Sequence, residues 1–191
     1  MKQSILFLVS LLLSFFLQSC QEGSKQEVQT QNNPFVWENA HMYFLLTDRF
    51  NNGDKTNDIN FNRTKETAVL RGFKGGDFVG VTQKINEGYF TKLGINALWF
   101  SPVVEQIHGA TNEGTGNTYG FHGYWTKDWT AIEPNFGTEA ALRTLVETAH
   151  ANGIRIVMDV VLNHTGPVTE KDEVWPEDWV RTSPACTYDS Y

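Results

Sequence analysis

Residues Ile154–His164 read IRIVMDVVLNH, an apolar run broken by Arg155 and Asp159 and closed by Asn163 and His164. Over Ile154–Leu162 (IRIVMDVVL) near-continuous apolar residues suit a strand of a parallel sheet covered on both faces. Two upstream stretches share the pattern, His41–Thr47 (HMYFLLT) and Ile95–Ser101 (INALWFS). Helical spacing occupies the intervals. Val81, Ile85, Tyr89 and Leu93 recur every four residues, with Gly94 where a C′ glycine belongs, and predict one helix. Leu142, Leu145, Val146 and Ala149 predict a second, capped by Thr138, favoured by Glu139 at its dipole end and stopped by Gly153. The order β-loop-α-β-loop-α-β is that of a parallel α/β fold. Long loops, Asp48–Gly80 and Pro102–Gly137, follow the first two strands, and in such folds these loops carry the site. Either a doubly wound sheet or the first part of a (β/α)8 barrel fits. No GxGxxG or P-loop follows a strand, which weakens a nucleotide-binding version. Three strands cannot close a barrel, so the barrel reading also requires a longer chain.

Composition narrows the function classes. The 191 residues are 40% hydrophobic and 19% charged, with 13 Phe and 6 Trp, enough to bury a core and to exclude whole-chain disorder. A net charge of −7 repels polyanions, so nucleic acid is not an expected partner. Two cysteines make neither a disulfide scaffold nor a Cys-based zinc site.

The first residues read as an export signal rather than as fold. Lys2 precedes an apolar run, Ile5–Leu17, too short for a comfortable membrane span but suited to a signal peptide. It ends at Leu17-Gln18-Ser19-Cys20, which resembles a bacterial lipobox; an ordinary signal peptide with an incidental Cys is the alternative. The expected division is a signal peptide over 1–19, a lipidated Cys20 and polar linker over 20–34, and the folded part from 35.

Three segments carry chemistry. Alternation along the last strand places Asp159, Val161 and Asn163 on one side, with His164 at the loop mouth. A carboxylate there is either functional or bonded to backbone amides. Gly120–Trp125 (GFHGYW) offers flat aromatic faces with polar edges, suited to sugar C–H surfaces, with His122 as a hydroxyl partner. Packing of that loop on its own domain is the bland alternative. Asn51–Asp58 (NNGDKTND) gathers carboxylate and amide oxygens around a glycine, the donors a hard cation takes, or else forms a plain turn.

Taken together, DVVLNH, HGYW some forty residues upstream and TDRFNNGDKTND after the first strand resemble the α-amylase family, glycoside hydrolase family 13. The passage GGDFVGVTQKINEGYFTKLGINALWFSPV supports the likeness, which runs from Val36 to about Gly166 and is closest to exported bacterial α-amylases and cyclodextrin glucanotransferases. The resemblance implies the N-terminal part, about three β/α units, of a (β/α)8 barrel over 35–166, and the start of an inserted domain over 167–191. It implies hydrolysis of α-1,4-glucosidic bonds in starch, glycogen or maltodextrin, with a transglycosylase or a non-catalytic tethered glucan-binding protein as alternatives. It makes Tyr124, Trp125 and His164 glucose contacts beside the scissile bond, His122 their support, and Asp159 an organiser of the site. It implies Ca²⁺ as cofactor, with Asn163 as an amide ligand of one ion. A second ion would be held by Asn52, Asp54, Asn57, Asp58, the Gly75 carbonyl and Asp77.

Retaining hydrolysis needs two carboxylates about 5 Å apart. In the family they come from the fourth and fifth strands, so no catalytic residue is assigned to this chain, and the 191 residues alone are expected to be inactive. Cys186, unpaired in an exported chain, is expected to find a partner further on. The expected location is outside the cytoplasm, at a membrane held through the lipid anchor.

Overall fold

The structure is a computed structural model and describes residues 34–172 and Trp175. The chain divides into two compact units, Met1–Val36 and Trp37–Tyr191, and the elements below belong to the second. The signal segment, Cys20, nearly all of the linker, Cys186 and most of 173–191 lie outside the described residues.

In chain order the elements are β1 (Met42–Leu45), a single turn α1 (Thr47–Phe50), α2 (Phe78–Asn86), α3 (Tyr89–Lys92) and β2 (Ala97–Phe100). Then come β3 (Val104–Gln106), β4 (Thr111–Asn112), β5 (Asn117–Thr118), β6 (Thr126–Ile132), α4 (Glu139–Ala151) and β7 (Arg155–Met158). The strands β1, β2 and β7 form a parallel sheet in that order, with Phe44, Trp99 and Val157 in register. This is the expected alternation of three strands with helical segments between them. The loops between them are not bare: β3 and β6 pair as an antiparallel ribbon, and β4 and β5 as a minimal hairpin.

The strands are shorter than the apolar runs. The ladder between β2 and β7 ends at Phe100 and Met158. Ser101 turns its N–H to Leu45, and Pro102 has no N–H to give, so β2 offers β7 no further N–H donor beyond that pair. Asp159–Leu162 leaves the sheet as loop, with Val161 buried and Asn163 exposed, which corrects the shared face expected for Asp159, Val161 and Asn163.

Helices cover one face of the sheet. Leu45, Leu98 and Phe100 pack with Phe78, Val81, Ile85, Phe90, Leu142, Leu145 and Ala149 in one core. Among the described residues the other face stays open, with Met42, Phe44 and Trp99 exposed, so coverage on both faces is not observed. Burial at about 25 cal/mol per Å² is why the apolar side chains of α2 and α4 sit inward.

The expected single helix over Val81–Leu93 is two. Gly88 adopts a left-handed φ of +70° between α2 and α3 and rotates the following turn. Phe90 then enters the core and stacks on Phe50 at 5.4 Å, while Tyr89 and Leu93 are exposed. The helix α4 forms as predicted: Thr138 accepts from Ala141 N at 3.2 Å, and Gly153 ends it at φ +73°.

Candidate active site

The loops leaving the C-terminal ends of β2 and β7 meet. The turn that presents the aromatic loop needs its glycines: Gly123 has φ +89°, and a Cβ there would strike the Pro102 carbonyl. Tyr124 Oη donates to Asp159 Oδ2 at 2.9 Å, joining the two loops. Burial foremost, then the hydrogen bond and the charge of Asp159, push the Tyr124 hydroxyl up to about 12, so it stays a donor. The loop after β7 brings His164 to Tyr124, with Nε2 3.2 Å from the Tyr124 carbonyl. A carbonyl can only accept, so Nε2 carries the proton.

His122 completes the cluster. Its Nδ1 accepts from Tyr124 N at 3.0 Å, which leaves the proton on Nε2. Burial lowers its pKa to about 4, with Arg49 adding to the effect and Glu113 opposing it. The ring is a neutral donor near pH 7. It lies near-parallel to Tyr124 at 6.0 Å and edge-on to Trp125 at 4.8 Å. The structure thus brings His122, Tyr124, Trp125, Asp159 and His164 together. Asp159 is half-buried and takes a side-chain hydroxyl. Asn163 is exposed, and its amide lies 3.4 Å from His164 Nδ1.

Behind this cluster stand residues that periodicity did not reveal. Gln106, on β3, accepts from Trp125 N at 2.7 Å. Trp129, on β6, donates its indole N–H to the Val161 carbonyl at 2.8 Å and so braces the segment after β7. Arg63 and Glu133 form an ion pair with both side chains essentially fully buried. Arg63 also donates to Asn135 Oδ1 at 2.7 Å and to the Gln106 and Ile107 carbonyls. Glu133 accepts from the N–H groups of Gln106 and Asn135. The lone Arg and Glu carry no local pattern; a signal exists only in their pairing across 70 residues of chain.

The Asn51–Asp58 loop folds against the start of α2. Asn52 Nδ2 donates to Asp58 Oδ1 at 2.8 Å, and Gly75, at φ +87°, lies so close that a Cβ there would collide with both. The Oδ1 atoms of Asn52 and Asn57 are buried without a hydrogen-bond partner. An orphaned buried oxygen is costly, and a hard cation is one group that removes the cost. These residues fit a Ca²⁺ ion on that ground. The remaining two of the set face elsewhere. Asp77 caps α2 through Gly80 N and receives Gly53 N and Asp54 N, and Asp54 Oδ1 accepts from Thr56. Among the described residues no three His, Cys, Asp or Glu side chains form a metal-binding group, so Asp54, Asp58 and Asp77 are not gathered into the shared site that the resemblance implied.

Comparison with known proteins agrees with this geometry. The sequence model of the α-amylase catalytic domain matches residues 44–182. The periplasmic α-amylase of Escherichia coli (strain K12) is 52% identical over 143 residues, covering 73% of this chain and 21% of that protein. A cyclomaltodextrin glucanotransferase of Niallia circulans is 42% identical over 139 residues, covering 72% of this chain and 19% of the relative. The crystal structure of a γ-cyclodextrin glucanotransferase from alkalophilic Bacillus clarkii superposes with a TM-score of 0.59 at 38% identity, over 66% of this chain and 18% of the other. The chain therefore spans about a fifth of the length of the curated relatives it matches. Three parallel strands carrying HGYW and DVVLNH at their C-terminal ends are the first part of a barrel that does not close within the described residues, and the chain belongs to the α-amylase catalytic-domain family.

Proposed function

We propose that the protein acts in the retaining hydrolysis of α-1,4-glucosidic bonds in starch, glycogen or maltodextrin. The observation that carries the reading is the junction of Tyr124, Asp159 and His164 where β2 and β7 end. In this reading the faces of Tyr124 and Trp125 stack on a glucose ring, and the Nε2–H of His122 donates to a hydroxyl. His164 reaches the same ring, while Asp159 holds Tyr124 in place. Such positioning lowers the entropic part of the barrier. Bond cleavage requires a nucleophile and an acid/base pair, which the family draws from later strands.

Ca²⁺ belongs to the same proposal. Asn52, Asn57, Asp58 and the Gly75 carbonyl would hold it, Asp54 and Asp77 would have to turn from their present N–H partners to join them, and Asn163 would serve a separate ion. The ion's contribution is to tie the loop after β1 to the start of α2. Export rests on the signal-like N-terminus and on the periplasmic location named for the E. coli relative. Anchoring through Cys20 rests on the lipobox-like residues alone.

A second reading, transglycosylation of the same glucans, is favoured by the 42% identity to a cyclomaltodextrin glucanotransferase. Incubation of maltoheptaose with the 191-residue chain, and with a form extended through the later barrel strands, tests both. Linear products from the extended form alone support hydrolysis, and cyclic products support transfer. An extended form without turnover would refute the proposal. Turnover by the 191-residue chain, abolished by Asp159→Asn, would make Asp159 catalytic and overturn the role assigned to it.

A further inference from the structure

We infer that Gln106 is the positioning residue of the aromatic loop, fixing Trp125, and Tyr124 with it, in the orientation that receives an α-glucan. The inference rests on the glucan reading above. Gln106 ends the short strand β3 and is fully buried. Its Oε1 accepts from Trp125 N at 2.7 Å, and its Nε2 donates to the Val104 carbonyl at 2.8 Å. One orientation of the amide satisfies both partners, since the first offers a proton and the second a lone pair. The Trp125 carbonyl accepts from Ile107 N at 3.0 Å, so both backbone polar groups of Trp125 end on residues 106 and 107.

The other end of the loop leans on the same side chain. A Cβ at Gly120 would lie 2.9 Å from Gln106 Cβ, closer than packing allows. Gln106 is itself held from behind. Its N–H donates to Glu133 Oε2 at 2.9 Å, and its carbonyl accepts from Arg63 Nη2 at 2.8 Å. A continuous chain of buried hydrogen bonds thus runs from the Arg63–Glu133 pair through Gln106 to the backbone of Trp125. Among the described residues the Trp125 N–H donates to the Gln106 side chain. Methionine at 106 would fill the volume and lose both bonds.

Glutamic acid at 106 is the informative replacement. Protonated, it keeps one acceptor for Trp125 N and one O–H donor for the Val104 carbonyl, so it copies glutamine. Ionised, it opposes a negative oxygen to that carbonyl, and the donor is gone. The test measures maltoheptaose affinity by calorimetry and Trp125 amide hydrogen exchange by NMR in the intact protein. It compares wild type with Gln106→Met, Gln106→Glu and Trp125→Ala. We expect Gln106→Met to weaken binding about tenfold or more and to speed Trp125 exchange, because small displacements of positioning groups are costly. Gln106→Glu should bind like wild type in acid and lose affinity as pH rises, a profile that wild type lacks. If Gln106→Met binds like wild type while Trp125→Ala does not, the role of Gln106 is refuted and the glucan reading stands. If Trp125→Ala also binds like wild type, the glucan reading falls and this inference with it. Equal loss in both Gln106 variants at every pH, with exchange accelerated throughout the core, would reduce Gln106 to a folding residue and refute the inference.

Discussion

Replacing Arg63 by Met should destabilise the protein more than any surface change, and the structure sets the size. Arg63 and Glu133 are an ion pair with side chains essentially removed from water. The guanidinium also lies between Phe61 and Phe73, at 4.9 and 4.8 Å from the ring centres. Deleting it strands a buried carboxylate that keeps two backbone N–H donors, and it removes the guanidinium donors to the Gln106 and Ile107 carbonyls and to Asn135 Oδ1. Breaking one side of a buried pair costs about 3–5 kcal/mol. At roughly 2–4 °C per kcal/mol for a chain of this size, Tm should fall by on the order of 10 °C. Adding Glu133→Gln, which removes the stranded charge while its single amide oxygen keeps an acceptor for one of the two N–H groups, should restore part of the loss. Thermal unfolding of wild type, both single variants and the double variant, followed by circular dichroism, gives the coupling directly. A loss below about 1 kcal/mol for Arg63→Met, or no recovery in the double variant, would refute the assignment of an uncompensated buried charge.

Other consequences are equally direct. Ca²⁺ at a hundred times its Kd should stabilise the protein by about 2.7 kcal/mol; Asn52→Ala and Asp58→Ala should abolish the shift, and a Ca²⁺-dependent Tm unchanged in both variants would remove the site. His122 should make the protein acid-sensitive. Its folded pKa is about 4 against about 6.5 unfolded, so the stability is complete above pH 6.5 and is lost as pH falls towards 4. The ceiling is about 3 kcal/mol, and denaturant titrations at both ends of that window should show a smaller difference for His122→Gln; an identical pH dependence would mean that the ring titrates normally. Fatty-acid labelling should mark wild type and not Cys20→Ser, since the anchor is proposed to be that thiol; equal labelling would exclude it.

The parts of the fold that were legible in the sequence are those set by local pattern. Apolar runs marked β1, β2 and β7, and the stripe and caps of α4 needed no tertiary knowledge. The break at Gly88 was hidden because a four-residue spacing survives on paper when the backbone turns left-handed. The end of β7 was hidden for another reason: a strand stops where its neighbour stops offering partners, and Pro102 lies far upstream of Asp159. At the site, aromatic and acidic motifs were visible as residues but not as a junction. The bond between Tyr124 and Asp159 joins positions 35 apart. Gln106, Arg63 and Glu133 escaped notice because each is an ordinary polar residue until long-range packing buries it.

The central claim is that Trp125 and Tyr124 form a stacking surface for an α-linked glucose ring. Fluorotryptophan incorporation, with the Trp125 resonance assigned by Trp125→Phe, reports on that indole alone. Titration with maltoheptaose should shift the Trp125 fluorine resonance progressively to saturation, and a β-1,4-linked glucan of equal length should leave it in place. A Trp125 resonance unmoved by maltoheptaose, or moved equally by the β-linked chain, would contradict the account.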